Sequence, residues 1–387
     1  MSEPTPQALE GCILTPDGFV HGTLVHAHGR VVAVQGTALG PEQAQARVAG
    51  GAAKWVLPGF IDLHVHGGAG HDTMDGAQAV AHIARAHARH GTTALLATTM
   101  TAPAADIEAA LRALAPACAT RPERGARVLG VHLEGPFLSP QRLGAQPDHT
   151  CTATLEQVLA WDAIAPLKLI TLAPEVPGHL ALIVALRARG FVVQIGHSAG
   201  SYEDAVAALQ AGASGFTHLF NAMTGLHHRA PGVVGAALAH AERAELIADL
   251  QHVHPGAIRA ALRAIPGLYC VTDSTSAAGM PDGEYRLGRQ RVIKCLGGVR
   301  LADGTLAGST LTMDQALRNL VDLGLSLAEA SRRTAALAAE HLGLADRGHL
   351  GPGAWADAVV LDERLSVCGV LVEGERVSPD GRPGGDA

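Results

Sequence analysis

Apolar runs with the length of buried strands alternate with alanine-rich amphipathic stretches through the middle of the chain. Eight runs predict strands, at residues 56–64, 92–98, 127–134, 167–172, 191–197, 215–218, 245–249 and 268–273. Helical stretches follow most of them, for example at residues 78–90, 177–189 and 201–211. Eight such units predict an α/β fold, a (β/α)8 TIM-like barrel of parallel strands covered by helices.

The two ends of the chain have a different pattern, in which short strand-like runs are separated by glycine. We therefore expect a small β-sandwich domain formed from both termini, residues 1–55 and 349–387, beside a barrel of residues 56–348. The tail from Ser378 is rich in proline and glycine, and we expect it to fray.

Ionisable side chains fall at the carboxyl ends of five predicted strands. They are His64, His66, Glu134, His197, His218 and Asp273. Taken alone, a His-x-His pair indicates only capping or surface histidines in a chain that has 21 of them. In a barrel, however, the carboxyl ends of the strands carry the active site, so the joint placement favours one shared site.

Imidazoles combined with a carboxylate suit a divalent transition metal such as zinc. We predict that Glu134, His197 and His218 hold one ion, and that His64 and His66 can hold a second ion bridged by Glu134. Such an ion lowers the pKa of a bound water to about 7 and polarises a carbonyl oxygen, which is the chemistry of hydrolysis.

Asp273 follows the eighth predicted strand in the segment Val-Thr-Asp-Ser-Thr. A carboxylate at this place can take a proton from the attacking water and pass it to a leaving amine, as general base and then general acid. The alternative for a lone Asp-Ser-Thr is a helix N-cap. The position at a strand end favours catalysis.

The amino-acid composition limits which classes of binding partner and which cellular compartment we expect. The net charge is −7 without a basic block, which argues against a nucleic-acid surface. The six cysteines are far apart and have no Cys-x-x-Cys spacing, which is typical of reduced thiols in a cytosolic protein, and we assign none of them to a metal. No apolar run reaches the roughly 18 residues of a membrane span and the N-terminus has no leader pattern, so we expect a cytoplasmic protein without membrane contact.

Several segments together resemble the N-acetylglucosamine-6-phosphate deacetylases of the amidohydrolase superfamily. They are Pro-Gly-Phe-Ile-Asp-Leu-His-Val-His (58–66), His-Leu-Glu-Gly-Pro-Phe (132–137), Gly-His-Ser (196–198), Thr-His-Leu-Phe-Asn-Ala-Met (217–223), Thr-Asp (272–273), Leu-Ala-Gly-Ser (306–309) and residues 350–357. The His-x-His pair alone would indicate only the superfamily, whereas Glu-Gly-Pro-Phe and Phe-Asn-Ala-Met are more specific.

The resemblance implies hydrolysis of the acetamido group of a phosphorylated amino sugar, N-acetylglucosamine 6-phosphate, to glucosamine 6-phosphate and acetate. It implies a homodimer and a divalent metal, with zinc the expected ion, at one or two ions per subunit. Some members have lost the first histidine pair and hold one ion, but this chain keeps His64 and His66. It matches Glu134, His197 and His218 to the metal ligands and Asp273 to the catalytic aspartate.

Further residues are candidates for substrate binding. They are Ala145, Gln146, Asn221, Ala222, Arg229, Asp249, His252, Leu306, Ala307 and Gly308. The resemblance implies sugar contacts for Asn221 and Ala222 and phosphate contacts for His252 and Arg229, of which Arg229 would reach across a dimer interface. Residues 249–252 and 306–308 match segments that line the substrate pocket.

Gln146 departs from the resemblance, because many members have there a histidine that polarises the scissile carbonyl. An amide donates hydrogen bonds but carries no charge, so we expect activity to survive with the metal stabilising more of the oxyanion. Two other classes of function stay open. One is a deacetylase for N-acetylgalactosamine 6-phosphate or another amidohydrolase, such as a cyclic-amide hydrolase, and the other is a non-catalytic sugar-phosphate-binding protein.

Overall fold

The computed structural model describes residues 6–377, so the tail predicted to fray lies outside the described residues. The strands are β1 Gln7–Thr15, β2 Gly18–Ala27, β3 Arg30–Leu39, β4 Trp55–Pro58, β5 Phe60–Val65, β6 Gly67–Gly68, β7 His71–Asp72, β8 Thr92–Thr98, β9 Arg127–Glu134, β10 Leu167–Leu172, β11 Val192–Ile195, β12 Gly215–Phe216, β13 Arg243–Ile247, β14 Gly267–Val271, β15 Gly283–Leu287, β16 Gln290–Cys295, β17 Gly298–Arg300, β18 Ala358–Leu361, β19 Val367–Val372 and β20 Glu375–Val377.

The first helix packs on the strands of the chain terminus, and the others cover the barrel or join its strands. They are α1 Pro41–Ala49, α2 Ala77–Arg89, α3 Ala104–Ala119, α4 Leu155–Asp162, α5 His179–Arg187, α6 Tyr202–Ala211, α7 Gly232–His240, α8 Pro255–Ala264, α9 Met313–Asp322, α10 Leu327–Thr334 and α11 Ala336–His341. Within residues 6–377, none of these helices combines the length and the apolar composition that crossing a bilayer would need.

Eight parallel strands form the barrel. Six of them make one sheet in the order β12-β11-β10-β9-β8-β5, and β13 pairs with β14. At one junction the Leu219 N–H donates to the Glu245 carbonyl, and at the other the Asp273 N–H donates to the His64 carbonyl, both at 2.9 Å. These bonds connect β12 with β13 and β14 with β5, which confirms the predicted (β/α)8 TIM-like barrel.

Strands from both ends of the chain form a separate seven-stranded sheet in the order β20-β19-β18-β4-β1-β2-β3. Neighbouring residues face opposite sides of a strand, so Trp55 packs in the main core while Val56 packs in a second, smaller apolar cluster. The turns at Gly29 and Gly374 are joined through the backbone of Ala356, so the sheet curls over this smaller core. A small β-domain assembled from both termini is thus present.

The predicted strand at residues 56–64 is in fact two strands, and β4 belongs to the terminal sheet. The chain bends at Gly59, whose N–H donates to the Asp357 carbonyl at 2.9 Å. A Cβ on Gly59 would lie 2.2 Å from Cγ2 of Thr93, so only glycine fits there. We propose from this pairing that the small domain extends to Pro58 and that the barrel begins at Phe60.

The antiparallel sheet β15-β16-β17 was not predicted. It lies between the last barrel strand and α9 along the chain, and it brings Leu287 to the mouth of the barrel. Most residues of β15 are exposed, and its sequence Gly-Glu-Tyr-Arg-Leu has no apolar run that would have indicated a strand.

Candidate metal centre and active-site pocket

The barrel brings all six predicted metal-binding and catalytic side chains together at one end. His64 and Glu134 lie in the last two positions of β5 and β9, and His66 follows β5 directly. His197, His218 and Asp273 lie two residues beyond β11, β12 and β14. None of the six is more than 8% exposed, so they form one buried cluster.

Three of these residues have an unusual backbone conformation. The φ angles of His197, His218 and Asp273 are 46°, 29° and 50°, in the left-handed region that non-glycine residues seldom adopt. The turn ends each strand early, at Ile195, Phe216 and Val271. This explains why the strands predicted to run to residues 197, 218 and 273 are shorter, and such strain is typical of functional sites.

One group of donor atoms is centred on Oε1 of Glu134. This oxygen lies 3.1 Å from Nε2 of His197 and 3.0 Å from Nε2 of His218, and the two nitrogens are 3.0 Å apart. Donor atoms around a tetrahedral zinc ion are separated by about 3.4 Å, as follows from metal–ligand distances of about 2.1 Å. The triangle therefore fits a divalent ion after a small expansion.

A second group is centred on the other oxygen of the same carboxylate. Oε2 of Glu134 lies 3.0 Å from Nε2 of His66 and 3.4 Å from Nε2 of His64. Oδ1 of Asp273 is 3.4 Å from each of these nitrogens. Glu134 thus faces one histidine pair with each oxygen, which is the arrangement of a carboxylate that bridges two ions.

Hydrogen bonds orient two of the imidazoles for metal binding. Nδ1 of His64 lies 3.0 Å from Oε2 of Glu245, and Nδ1 of His197 lies 2.8 Å from the carbonyl oxygen of Arg142. Both partners are acceptors, so each Nδ1 carries a proton and each Nε2 is the nitrogen left to bind an ion once it is deprotonated. The donor set and its tautomers therefore fit a divalent metal.

The charges of the cluster are strongly coupled. Burial alone would raise the pKa of Glu134, but His64, His197 and His218 outweigh it and hold this pKa well below the usual value. Burial lowers the pKa of His64, yet the carboxylates of Glu134, Asp273 and Glu245 outweigh it and raise that pKa well above the usual value. The metal-free centre thus holds an ionised Glu134 and a protonated His64.

A cavity of about 190 Å³ opens beside this cluster. Seven of the ten predicted substrate-binding residues line it, namely Ala145, Gln146, Asn221, Ala222, His252, Leu306 and Gly308. Asp249 lies behind the wall, where its carboxylate accepts hydrogen bonds from the backbone N–H of His252, at 2.8 Å, and from Nδ1 of the same residue, at 2.7 Å. Ala307 is fully buried between two lining residues.

Arg229 is the predicted site residue that a single chain does not bring to the cavity. It is exposed, and its guanidinium lies 2.7 Å from Nε2 of the neighbouring His228. Its part in substrate binding stays a prediction, and it would require a second copy of the chain.

Several residues of the site were missed by sequence reasoning. Met100, Leu287 and Thr305 line the cavity, and no sequence signal marked them. Glu245 is fully buried, and its Oε2 contacts Nδ1 of His64 and accepts the backbone N–H of His218 at 3.1 Å. A glutamate between Ala244 and Leu246 in a short buried strand was the signal for this residue, since buried carboxylates are rare without a partner.

Glu245→Gln is expected to weaken metal binding by about 10–100-fold, the usual cost of losing a partner that orients a metal-bound histidine. The amide can still accept the His64 proton, but without the negative charge that favours this tautomer. Competition with a chromophoric chelator measures the affinity. Glu242→Gln, an exposed position just before β13, is the matched control, and equal zinc affinities in the two variants would refute the role of Glu245.

The chain matches known proteins over most of its length. The model of the family described as "Amidohydrolase family" matches residues 55–377. The chain belongs to the amidohydrolase family. An N-acetylglucosamine-6-phosphate deacetylase of Lysinibacillus sphaericus is 44% identical to this amidohydrolase over 323 residues, which are 81% of this chain and 83% of that protein. An N-acetylgalactosamine-6-phosphate deacetylase of Escherichia coli O157:H7 is also 44% identical, over 84% of this chain and 88% of that protein.

Solved structures agree with this family assignment. An N-acetylglucosamine-6-phosphate deacetylase from Thermotoga maritima superimposes with a TM-score of 0.86 at 33% identity, over 96% of this amidohydrolase and 99% of that chain. A mutant N-acetyl-D-glucosamine-6-phosphate deacetylase from Mycobacterium smegmatis, in complex with N-acetyl-D-glucosamine 6-phosphate, superimposes with a TM-score of 0.87 at 34% identity, over 97% and 100% of the two chains.

Proposed function

We propose that this amidohydrolase removes the acetyl group of N-acetylglucosamine 6-phosphate and releases glucosamine 6-phosphate and acetate. The observation that carries the proposal is the convergence of three histidines, Glu134 and Asp273 on one cavity at the carboxyl end of the barrel, with His64 buried behind them. Relatives at 44% and 40% identity, from Lysinibacillus sphaericus and Vibrio furnissii, are deacetylases of this substrate by name.

The metal is proposed to be zinc. Glu134, His197 and His218 would hold one ion, and His64 and His66, with the other oxygen of Glu134, would hold a second. When bound, a divalent ion of this kind supplies a nucleophilic water at neutral pH and polarises the amide carbonyl.

Asp273 would move the proton of the reaction. Its Oδ1 lies among the donor atoms of His64 and His66, and its side chain lines the cavity. From this position the carboxylate takes a proton from the attacking water and then delivers it to the nitrogen of the leaving amine as the C–N bond breaks.

His252 and Arg229 are the proposed phosphate partners. Asp249 accepts the Nδ1 proton of His252, which leaves Nε2 for a ligand. We propose that Arg229 joins it from a second copy in a homodimer, because a guanidinium binds phosphate through paired charge-assisted hydrogen bonds. The six free cysteines are consistent with a cytoplasmic location.

N-acetylgalactosamine 6-phosphate is the second candidate substrate, because the Escherichia coli relative named for it is as similar as the first relative, at 44% identity. The two sugars differ in the orientation of one hydroxyl group. A single hydrogen bond contributes about 0.5–1.5 kcal/mol, which corresponds to roughly a 2- to 13-fold preference. Direct comparison of both substrates is therefore needed.

Acetate release by the purified protein tests the proposal. The substrates are N-acetylglucosamine 6-phosphate, its galacto epimer and the unphosphorylated sugar, each before and after chelation and zinc repletion. Zinc-dependent release from the phosphorylated gluco sugar is expected, with a higher KM in Arg229→Ala. No release from any substrate by zinc-loaded protein would reject both deacetylase functions, and binding without turnover would indicate a sugar-phosphate-binding protein.

Zinc binding is expected to release protons and to weaken as the pH falls. The carboxylates around His64 raise its pKa, so this imidazole is protonated in the metal-free protein at neutral pH and must lose its proton to bind zinc. Calorimetric zinc titrations at pH 7 in two buffers of different ionisation enthalpy measure the release. Equal heats in the two buffers, and an affinity independent of pH between 6 and 8, would contradict the expectation.

A further inference from the structure

The amide of Gln146 is held between two fixed partners. Its Oε1 accepts the backbone N–H of Thr101 at 2.7 Å, and its Nε2 donates to Oε2 of Glu134, also at 2.7 Å. The side chain is 5% exposed, so water has little access to either bond. Both primary contacts of this amide are therefore with the protein.

The orientation of the amide is determined by chemistry. A backbone N–H can only donate, so the oxygen of Gln146 must face Thr101 and the nitrogen must face Glu134. One N–H of the amide is consequently committed to the carboxylate. Only the second N–H remains for a ligand in the cavity.

Thr101 packs closely against the turn that follows Glu134. Gly135, the residue after Glu134, has a φ angle of 81°, and a Cβ built on it would lie 2.0 Å from Oγ1 of Thr101. The backbone that anchors Gln146 thus packs directly on the turn that carries the carboxylate. Glu134, Gly135, Thr101 and Gln146 form a closed loop of contacts.

The bond from Gln146 reaches the oxygen that faces His64 and His66. Oε1 of Glu134 has His197 and His218 within 3.1 Å, and Oε2 has His66 at 3.0 Å and His64 at 3.4 Å. Both oxygens turn together about the terminal torsion of glutamate, which is broad, and the Gln146 amide is a donor that keeps its proton whether or not a metal is bound. A donor of fixed position removes that freedom.

We propose that Gln146 is a positioning residue that holds Oε2 of Glu134 in place for a second metal ion at His64 and His66. This role differs from the direct substrate contact expected from the sequence. The inference rests on the proposed metal centre but is independent of which substrate the enzyme hydrolyses.

Zinc binding to the metal-free protein tests the role without any substrate. Wild type is expected to take up two ions, and Gln146→Leu is expected to bind the second ion about 10–100-fold more weakly while the first is unchanged. Gln146→Met, whose unbranched side chain has similar length and no N–H, is the second variant if the leucine substitution destabilises the fold. Gln141→Leu, an exposed glutamine in the same loop, is the matched control.

A double variant shows which of the two ions depends on Gln146. In His66→Ala only the ion at His197 and His218 remains, so adding Gln146→Leu is expected to leave its affinity unchanged. Three results would each overturn the proposal. Wild type could take up a single ion, Gln146→Leu and Gln146→Met could lose both ions equally, or these variants could bind the second ion as tightly as wild type. A protein with the expected zinc pattern but no acetate release would instead refute only the proposed substrate.

Discussion

Asp273→Asn is expected to lower kcat by about 10²–10⁴-fold, the range for losing a group that transfers a proton in the transition state. Oδ1 of Asp273 lies 3.4 Å from Nε2 of both His64 and His66, and the side chain reaches the cavity. An amide in that place has nearly the same shape but takes up no proton at neutral pH. The variant should therefore keep its ligand and lose its turnover.

Asparagine is the best replacement because it suits the left-handed backbone conformation of residue 273. Asp273 has a φ angle of 50°, and asparagine is among the few residues that adopt this left-handed conformation readily. The backbone bonds from the Asp273 N–H to the His64 carbonyl and from the Ser309 N–H to the Asp273 carbonyl do not involve the side chain. Alanine would add backbone strain to the loss of the carboxylate.

The measurement is steady-state acetate release together with zinc content and substrate affinity. Asp322→Asn, an exposed aspartate at the end of α9, is the matched control and should behave as wild type. A kcat within tenfold of wild type would exclude Asp273 as the proton carrier. Loss of zinc alongside turnover would show instead that Asp273 acts mainly on the metal.

Local sequence pattern was sufficient for much of the barrel. The strands at 92–98, 127–134 and 167–172 were predicted with the bounds they have in the structure, because each is a short buried run between polar or glycine-containing turns. The helix predicted at residues 201–211 is present as α6, and the Ser201 side chain caps it by accepting the Asp204 N–H. The candidate metal ligands could be proposed because ionisable side chains at the carboxyl ends of barrel strands are visible in one sequence.

Contacts between residues that are far apart in the sequence could not be predicted from the local hydrophobic pattern. Glu245 orients His64 from 181 positions away, and Gln146 binds Glu134 through an amide whose direction depends on Thr101. The break at Gly59 was missed because both flanking strands are fully buried and read as one apolar run. In each case the deciding partner is brought close only by folding.

The attachment of the small domain depends on such a distant contact, centred on Glu373. This residue lies in the turn between β19 and β20, and its carboxylate receives two hydrogen bonds from Arg127 at 2.8 Å each. Arg121 lies 3.3 Å from the same carboxylate, and Arg347 also donates to it. Three guanidinium groups therefore share this carboxylate at the junction of the small domain and the barrel, and Glu375 and Asp357 give Arg121 and Arg347 a second carboxylate each.

Glu373→Gln is expected to lower the free energy of unfolding by about 3 kcal/mol, at the lower end of the range for breaking a buried ion pair because Arg127 is 22% exposed. Burial raises the pKa of Glu373, but Arg127 and Arg347 outweigh it and leave that pKa below its usual value. The stabilisation is thus complete above about pH 4.3, the pKa of an unfolded glutamate, and is lost as the pH falls through the lower folded value.

Urea unfolding of the metal-free protein at pH 7 and at low pH measures both effects of Glu373→Gln. Glu108→Gln removes an exposed pair with Arg112 on α3 and should cost no more than about 0.5 kcal/mol, so it is the matched control. If the two variants unfold at the same urea concentration at pH 7, the Glu373 cluster adds nothing beyond a surface pair. The expected result is an early loss of the small domain, because three guanidinium groups at its junction then lack their shared carboxylate.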